Sequence, residues 1–303
     1  MRGGVASAPA RGERAANRPE RVGVVSYTNV APLNWSLEPW PSHGGEAQFS
    51  YGVPAELNAA LAADEIDLTL ISSIELIRNR HRYRALPDFS IATLGPVYSV
   101  MLFHRPEWRE LTGQRIAVTD QSATSVELLR VLLEADGVEA ELVPTPGGLE
   151  ELLGTADAAL LIGDAAFKEA VRHVAPRPSG PRGRGISGVS RIDEGLRVTD
   201  LGEAWYRLTR LPFTFAVWAS SAGVRPSAEL VRAFREARYA GLGCLAEVAH
   251  KEAAKLDLPH ELVQRYLENF RYYLAPPDLD GLLEFARRSD PTFEEGQLRF
   301  WDV

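Results

Sequence analysis

Short apolar, β-branched runs recur along the chain, and each ends in a small polar loop that opens a helix-like stretch. Arg21-Val22-Gly23-Val24-Val25 leads into Ser26-Tyr27-Thr28-Asn29, with a helix expected from Pro32, since proline suits a first helical position. Ile66-Asp67-Leu68-Thr69-Leu70-Ile71 leads into Ser72-Ser73. Arg115-Ile116-Ala117-Val118 leads, through Thr119-Asp120-Gln121, into Ser122-Ala123-Thr124-Ser125. Ala158-Ala159-Leu160-Leu161-Ile162 leads into Gly163-Asp164. Strand-then-helix order repeated in this way argues for a largely parallel sheet with helices on its faces, an α/β chain.

A second pattern limits how these units combine. Ser90–Leu94 and Val97–Phe103 read as strands separated by a Gly95-Pro96 break, and Pro212–Trp218 is strand-like again. The last two βα units lie between these passages, and helical periodicity dominates from Ser227 almost to Asp290. The simplest topology takes the chain from lobe one to lobe two at the first passage and back at the second. Lobe one is then discontinuous, residues 20–102 plus 215–303, and lobe two is 103–214. The Gly-, Pro-, Ser- and Arg-rich stretch 176–191 reads as a mobile surface loop of lobe two, and residues 1–19 as a flexible tail. Ligands of open α/β sheets sit beyond the carboxyl ends of the strands. Two such sheets joined by two hinge strands therefore predict a cleft between the lobes, able to exclude water on closing.

Composition removes several functions. The formal net charge of −8 leaves no basic footprint for nucleic acid or an anionic membrane. The six histidines show no metal-ligand spacing, and the single cysteine, Cys244, excludes an intrachain disulfide or a thiolate cluster. Cys244 reads as a small apolar residue in a helical stretch. The first nineteen residues carry four arginines but no apolar core of an export signal, and no run is long enough to span a bilayer. A cytoplasmic protein is expected, a monomer or homodimer with a small-molecule partner.

The four polar loops are the candidate site. Each puts small polar side chains and free backbone N–H groups at a helix start, where the macrodipole favours an anion. Any one alone is a plain N-cap. Four feeding one cleft point to a carboxylate ligand, and Ser122, Thr124 and Ser125 make the densest cradle of hydroxyls. Glu75 and Asp164 stand in first turns, where acids also stabilise helices without further role. No nucleophile elbow, phosphate-binding loop or dinucleotide fingerprint is present.

Six motifs occur in order over residues 21–290. They are Ser26-Tyr27-x-Asn29-x-x-Pro32-Leu33, Leu70-Ile71-Ser72-Ser73-Ile74-Glu75, Gly95-Pro96-Val97-x-Ser99-Val100, Ser122-Ala123-Thr124-Ser125, Leu160-Leu161-Ile162-Gly163-Asp164 and Leu211-Pro212-Phe213-x-Phe215-Ala216-x-Trp218. Together they resemble the chorismate dehydratases of the futalosine route to menaquinone. The resemblance implies a periplasmic-binding-protein-like fold of type II. It also implies loss of water from chorismate to give 3-(1-carboxyvinyloxy)benzoate. Aromatisation drives that reaction, so neither a metal nor a redox cofactor is expected.

On the same resemblance Asn29 touches the reacting centre. Ser122, Thr124 and Ser125 hold one carboxylate, while Ser72, Ser73 and Ser99 orient the other or the ring. Ser26, Tyr27 and Asp164 complete the expected substrate contacts. The base is either the enolpyruvyl carboxylate of the substrate itself or Glu75. Three rivals are weighed against this reading. They are a sister enzyme of the dihydroxynaphthoate-forming type, an exported solute-binding protein, and a cytosolic regulator. The first-loop motif speaks against the first, the missing leader and lipid-bearing cysteine against the second, and the missing helix-turn-helix segment or basic face against the third.

Overall fold

A computed structural model of the chain describes residues 19–37, 47–173 and 195–303. The tail expected at 1–19, apart from Pro19, and the loop expected at 176–191 fall outside the described residues.

The chain opens with β1 (Glu20–Val25), a 3-10 turn at Thr28–Val30, α1 (Ala31–Asn34), β2 (Ala47–Gly52), α2 (Pro54–Ala62), β3 (Leu68–Ser72) and α3 (Ser73–Arg78). β4 (Tyr83–Thr93) follows and carries the chain to the far lobe. There β5 (Val100–His104), β6 (Arg115–Val118), α4 (Ala123–Ala135), β7 (Glu141–Pro144), α5 (Leu149–Thr155), β8 (Ala158–Ile162), α6 (Gly163–His173), β9 (Arg197–Asp200) and α7 (Leu201–Thr209) form the second unit. β10 (Phe213–Ser221) returns, and α8 (Ala228–Gly243), α9 (Leu245–Leu256), α10 (His260–Glu268), β11 (Phe270–Arg271) and α11 (Pro276–Ser289) complete the first.

Two sheets result, one of six strands in the order β11-β4-β10-β3-β1-β2 and one of five in the order β7-β6-β8-β5-β9. Every residue of β3 and of β8 is buried, as expected of inner strands covered on both faces. Asp67 ties the start of β3 to β1, accepting the Arg21 backbone N–H at 2.9 Å and its guanidinium at 3.0 Å.

The sheets are mixed, which corrects the expectation of a largely parallel sheet. β1 pairs in parallel with β2 and β3, and β6 with β7 and β8, but β10 runs antiparallel to β3 and β4, and β5 antiparallel to β8 and β9. The reason is topological. β1, β3, β6 and β8 all end at the cleft, whereas a strand that arrives from the other lobe enters its sheet at the cleft and must run the opposite way. The chain crosses through residues 94–99 and returns through 210–212. The strand expected from Val97 begins only at Val100, because Tyr98 adopts a left-handed backbone (φ +63°) that ends extended structure before it.

Both crossings are pinned from inside. Asp200, half-buried, accepts the backbone N–H groups of Val97 (2.9 Å) and Tyr98 (2.7 Å) while also capping α7 through Glu203 N–H (3.1 Å). At the return, the Pro212 carbonyl accepts the Trp205 indole N–H at 3.1 Å, and Trp205, Phe213 and Phe285 meet edge to face with ring centroids 4.8–6.0 Å apart. Trp205, Trp218 and Phe213 are core residues. Cys244 is half-buried at the junction of α8 and α9 rather than within a helix.

Two tests follow from these anchors. A Cβ on Gly281 of α11 would lie 2.0 Å from the Pro212 carbonyl oxygen. Gly281→Ala should therefore destabilise by about 1–3 kcal/mol, as overpacking does. At Gly154 of α5 nothing lies within 4 Å, and the same change there should be neutral or stabilise by about 0.5–1 kcal/mol, measured by denaturant melts.

The second test is a pH dependence. Burial pushes the Asp200 carboxyl up to about 6, against the pull of the N–H groups it accepts, while the unfolded value is about 3.9. The contribution of Asp200 to stability is therefore complete below about pH 4 and lost as pH rises through about 6. The stability of the wild type relative to Asp200→Asn should fall between pH 4 and pH 7. A difference that is flat or rises with pH contradicts this account.

Candidate active site

The carboxyl ends of β1, β3, β6 and β8 converge on one cavity between the lobes, with the first crossing forming part of its wall. The turn after β1 brings Tyr27 and Asn29, β3 ends on Ser72, the crossing contributes Ser99, and α4 begins with Ser122 and Ser125. Ile91, Ile162 and Phe215 supply apolar wall. The cavity measures about 70 Å³, below the ~150 Å³ that admits a benzene ring. The two lobes are therefore closed on one another.

The other expected residues are turned elsewhere, each by a partner distant in sequence or by a local contact. Ser26 is exposed. Ser73 donates its hydroxyl to the Thr214 carbonyl at 2.6 Å. The Thr124 hydroxyl accepts the Ile74 backbone N–H at 3.0 Å, a contact between α4 of lobe two and α3 of lobe one. The Glu75 carboxylate accepts from Asn79 (3.0 Å) and from the Tyr83 phenol (2.9 Å), whose own proton burial and this acid hold on more tightly. Asp164 is expected as a first-turn acid and a substrate contact. Its carboxylate instead reaches across the lobes to accept the Thr28 backbone N–H at 3.1 Å. Burial raises its affinity for a proton, opposed by the Thr28 hydrogen bonds.

Tyr27 bridges the lobes twice. Its ring lies on Gly163, whose left-handed backbone (φ +62°) and missing side chain make the approach possible; a Cβ there would sit 3.1 Å from the ring. Its hydroxyl donates to Gln121 Oε1 at 3.0 Å. Burial, reinforced by Asp164, Glu56 and Asp120, pushes the Tyr27 phenol up to about 12, so it stays protonated at neutral pH. Behind it, Phe167 of α6 stacks on Tyr266 of α10 with centroids 4.1 Å apart.

At the start of α4, the Ser122 hydroxyl accepts Ser125 N–H at 3.3 Å and lies 3.0 Å from the Ser125 hydroxyl. Asn29 is half-buried, and its amide oxygen is buried with no hydrogen-bond partner. An unspent polar group of this kind in a cavity wall points to a ligand group that completes it. Among the described residues lining the cavity there is no Lys, Arg, His, Asp or Glu. Helices α4 and α6 both begin at the cavity wall, where Ser122, Ser125 and Gly163 stand in the lining. Nor do the described residues gather three His, Cys, Asp or Glu side chains that could hold a metal ion.

Gln121 and Gly163 are site residues outside the expected set. Gln121 sits one residue before the serine cluster, in the same loop. Gly163 belongs to the Gly163-Asp164 loop, where a residue without a side chain carries no polar signal. A larger cavity of about 480 Å³ lies against Pro96 and Tyr98 and is walled by Met101, Trp108, Leu132 and Val198. It contains none of the expected residues; the junction of β9 and α7, at Asp200 and Glu203, opens into it.

Among solved structures, a protein of Archaeoglobus fulgidus superimposes with a TM-score of 0.65 at 20% identity, covering 89% of this chain and 96% of that one. The periplasmic aliphatic sulphonate binding protein SsuA of Escherichia coli gives 0.58 at 16% identity, covering 95% and 93%. These likenesses show the periplasmic-binding-protein-like fold, two lobes with a cleft between them. No helix of the described residues is long and apolar enough to cross a membrane. In sequence, a chorismate dehydratase of Thermus thermophilus is 43% identical over 269 residues, 89% of this chain and 94% of that protein. The model of a family described as menaquinone biosynthesis matches residues 20–290, and the chain belongs to that family.

Proposed function

We propose that the chain is a chorismate dehydratase, a hydro-lyase acting in the cytoplasm on the route to menaquinone. The observation that carries the reading is a closed cleft lined by hydroxyls, helix starts and an unpaired amide, without an ionisable side chain other than the Tyr27 phenol. A substrate with two carboxylates suits such a lining, and so does a reaction that needs no side-chain base. The 43% identity to a chorismate dehydratase supports the same reading.

The Ser122–Ser125 start of α4 holds one carboxylate of chorismate by charge-assisted hydrogen bonds. Ser72 and Ser99 face the other carboxylate or the ring. The enolpyruvyl carboxylate, folded over the ring, takes the proton from the carbon that bears the ether. The electron pair of that C–H bond becomes the new ring double bond, and the neighbouring hydroxyl departs as water with the proton that the enolpyruvyl carboxyl group has just taken and now hands on. Asn29 orients the departing hydroxyl by accepting its proton on the unpaired amide oxygen, and the amide N–H2 donates to the charge that develops there. Tyr27, with its proton held to about pH 12, positions the ligand and takes no part as a base. Glu75 is occupied by Asn79 and Tyr83, and its task is to hold α3 in place. Ligand entry separates the lobes and breaks the Tyr27–Gln121 and Thr28–Asp164 bonds, which reform on closure.

Incubation of the purified protein with chorismate should produce a new benzoate absorbance and a mass lower by one water. Asn29→Ala should lower kcat by roughly 10²–10³-fold, the scale for loss of one preorganised polar group. Glu75→Gln should keep kcat within a few-fold of wild type. A dead Glu75→Gln beside an active Asn29→Ala would assign the base to Glu75 and overturn this mechanism.

A further inference from the structure

Ser72 occupies the N-cap position of α3, with extended backbone angles (φ −68°, ψ 146°). A serine there ordinarily turns its oxygen back onto an N–H of the first helical turn. Ser122 of α4 and Ser227 of α8 both do so. Ser72 does not: its side chain makes no capping bond. The Ile74 N–H, one of the groups it would have capped, goes to the Thr124 hydroxyl of the opposite lobe. The Ser72 oxygen instead accepts a hydrogen bond from the Asn58 side-chain amide at 3.1 Å.

That arrangement fixes which way the hydroxyl can act. A serine hydroxyl has one proton to donate and two lone pairs to accept with. With Asn58 donating to it, the proton of Ser72 remains unspent, and Ser72 lines the cleft while only 4% exposed. Asn58 is held in this place at a cost, since its own amide oxygen is buried without a partner. A residue kept for stability alone would not leave a buried acceptor orphaned. Donation from the amide also polarises the hydroxyl and strengthens it as a donor.

We propose that Asn58 is a positioning residue of the cleft: its amide turns the Ser72 hydroxyl away from capping α3 and presents it as a hydrogen-bond donor to a substrate carboxylate. This rests on the dehydratase reading above, and it adds a residue from α2, outside the strand-to-helix loops, to the machinery of that site. A carboxylate held alike in ground and transition states affects KM more than kcat.

The test is a cycle of variants on the full chain with chorismate as substrate. Ser72→Ala and Asn58→Ala should each raise KM by roughly tenfold, the scale of one hydrogen bond to a charged group, with kcat changed much less. The double variant should be no worse than Ser72→Ala alone, because Asn58 acts only through Ser72. Asn58→Asp fills the same space but can only accept the Ser72 proton, so it should raise KM at least as far as Asn58→Ala. Wild-type KM in Asn58→Asp, or effects of the two alanine changes that multiply in the double variant, would overturn the proposal. Binding of chorismate without turnover by the wild type would sink the dehydratase reading but not this one, with Kd then replacing KM in the same cycle. Absence of any chorismate binding by the wild type overturns both.

Discussion

A single carboxylate holds the place where the chain leaves one lobe for the other. Asp200 gathers the N–H groups of Val97 and Tyr98 and the first turn of α7, so a short segment with a left-handed residue is fixed against β9. The return crossing is held as firmly, by the Pro212 carbonyl beneath Trp205 and against Gly281. The lobes also meet away from the crossings. Tyr27 with Gln121, Thr28 with Asp164 and Ile74 with Thr124 are hydrogen bonds between them, and Phe167 stacks on Tyr266 from the opposite lobe. A hinge closure brings such groups together while the crossings stay fixed.

How much of this could be read beforehand differed by kind of evidence. The inner strands were legible because burial on both faces leaves an unbroken apolar run, as in Leu68–Ser72 and Ala158–Ile162. The edge strands Ala47–Gly52 and Glu141–Pro144 were not, since an edge exposes a face and its sequence drifts toward loop composition. The antiparallel sense of β5 and β10 follows from the double crossing, yet no local pattern announces strand direction.

The polar loops show the same division more sharply. That Ser72, Ser122 and Ser125 stand at helix starts was readable from spacing. Which way each hydroxyl turns was not, because the partner that decides it lies far along the chain. Ser73 is claimed by Thr214, 141 residues away, and Thr124 by Ile74, 50 residues away. Asp164 is claimed by Thr28, 136 residues away. Glu75 is claimed locally by Asn79 and Tyr83, but only after β4 folds back beside α3. Sequence spacing thus marks where polar groups collect, and tertiary partners select those that face the cleft.

The absence of charged side chains from the described lining has a chemical logic once the base belongs to the substrate. An arginine or lysine within about 4–6 Å would hold a carboxylate firmly but lower its pKa by 1–3 units, weakening it as a base. Hydroxyls and helix N-termini hold an anion through partial charges, with less loss of basicity. The carboxylate to be anchored and the carboxylate to react can then be treated differently by the same neutral lining. The α4 start, with two serine hydroxyls and its macrodipole, is the stronger anchor. In a chain of net charge −8 the cleft attracts a dianion only through these local dipoles. Affinity in such a site depends on the geometry of each donor, and for that reason the orientation of one serine proton carries weight.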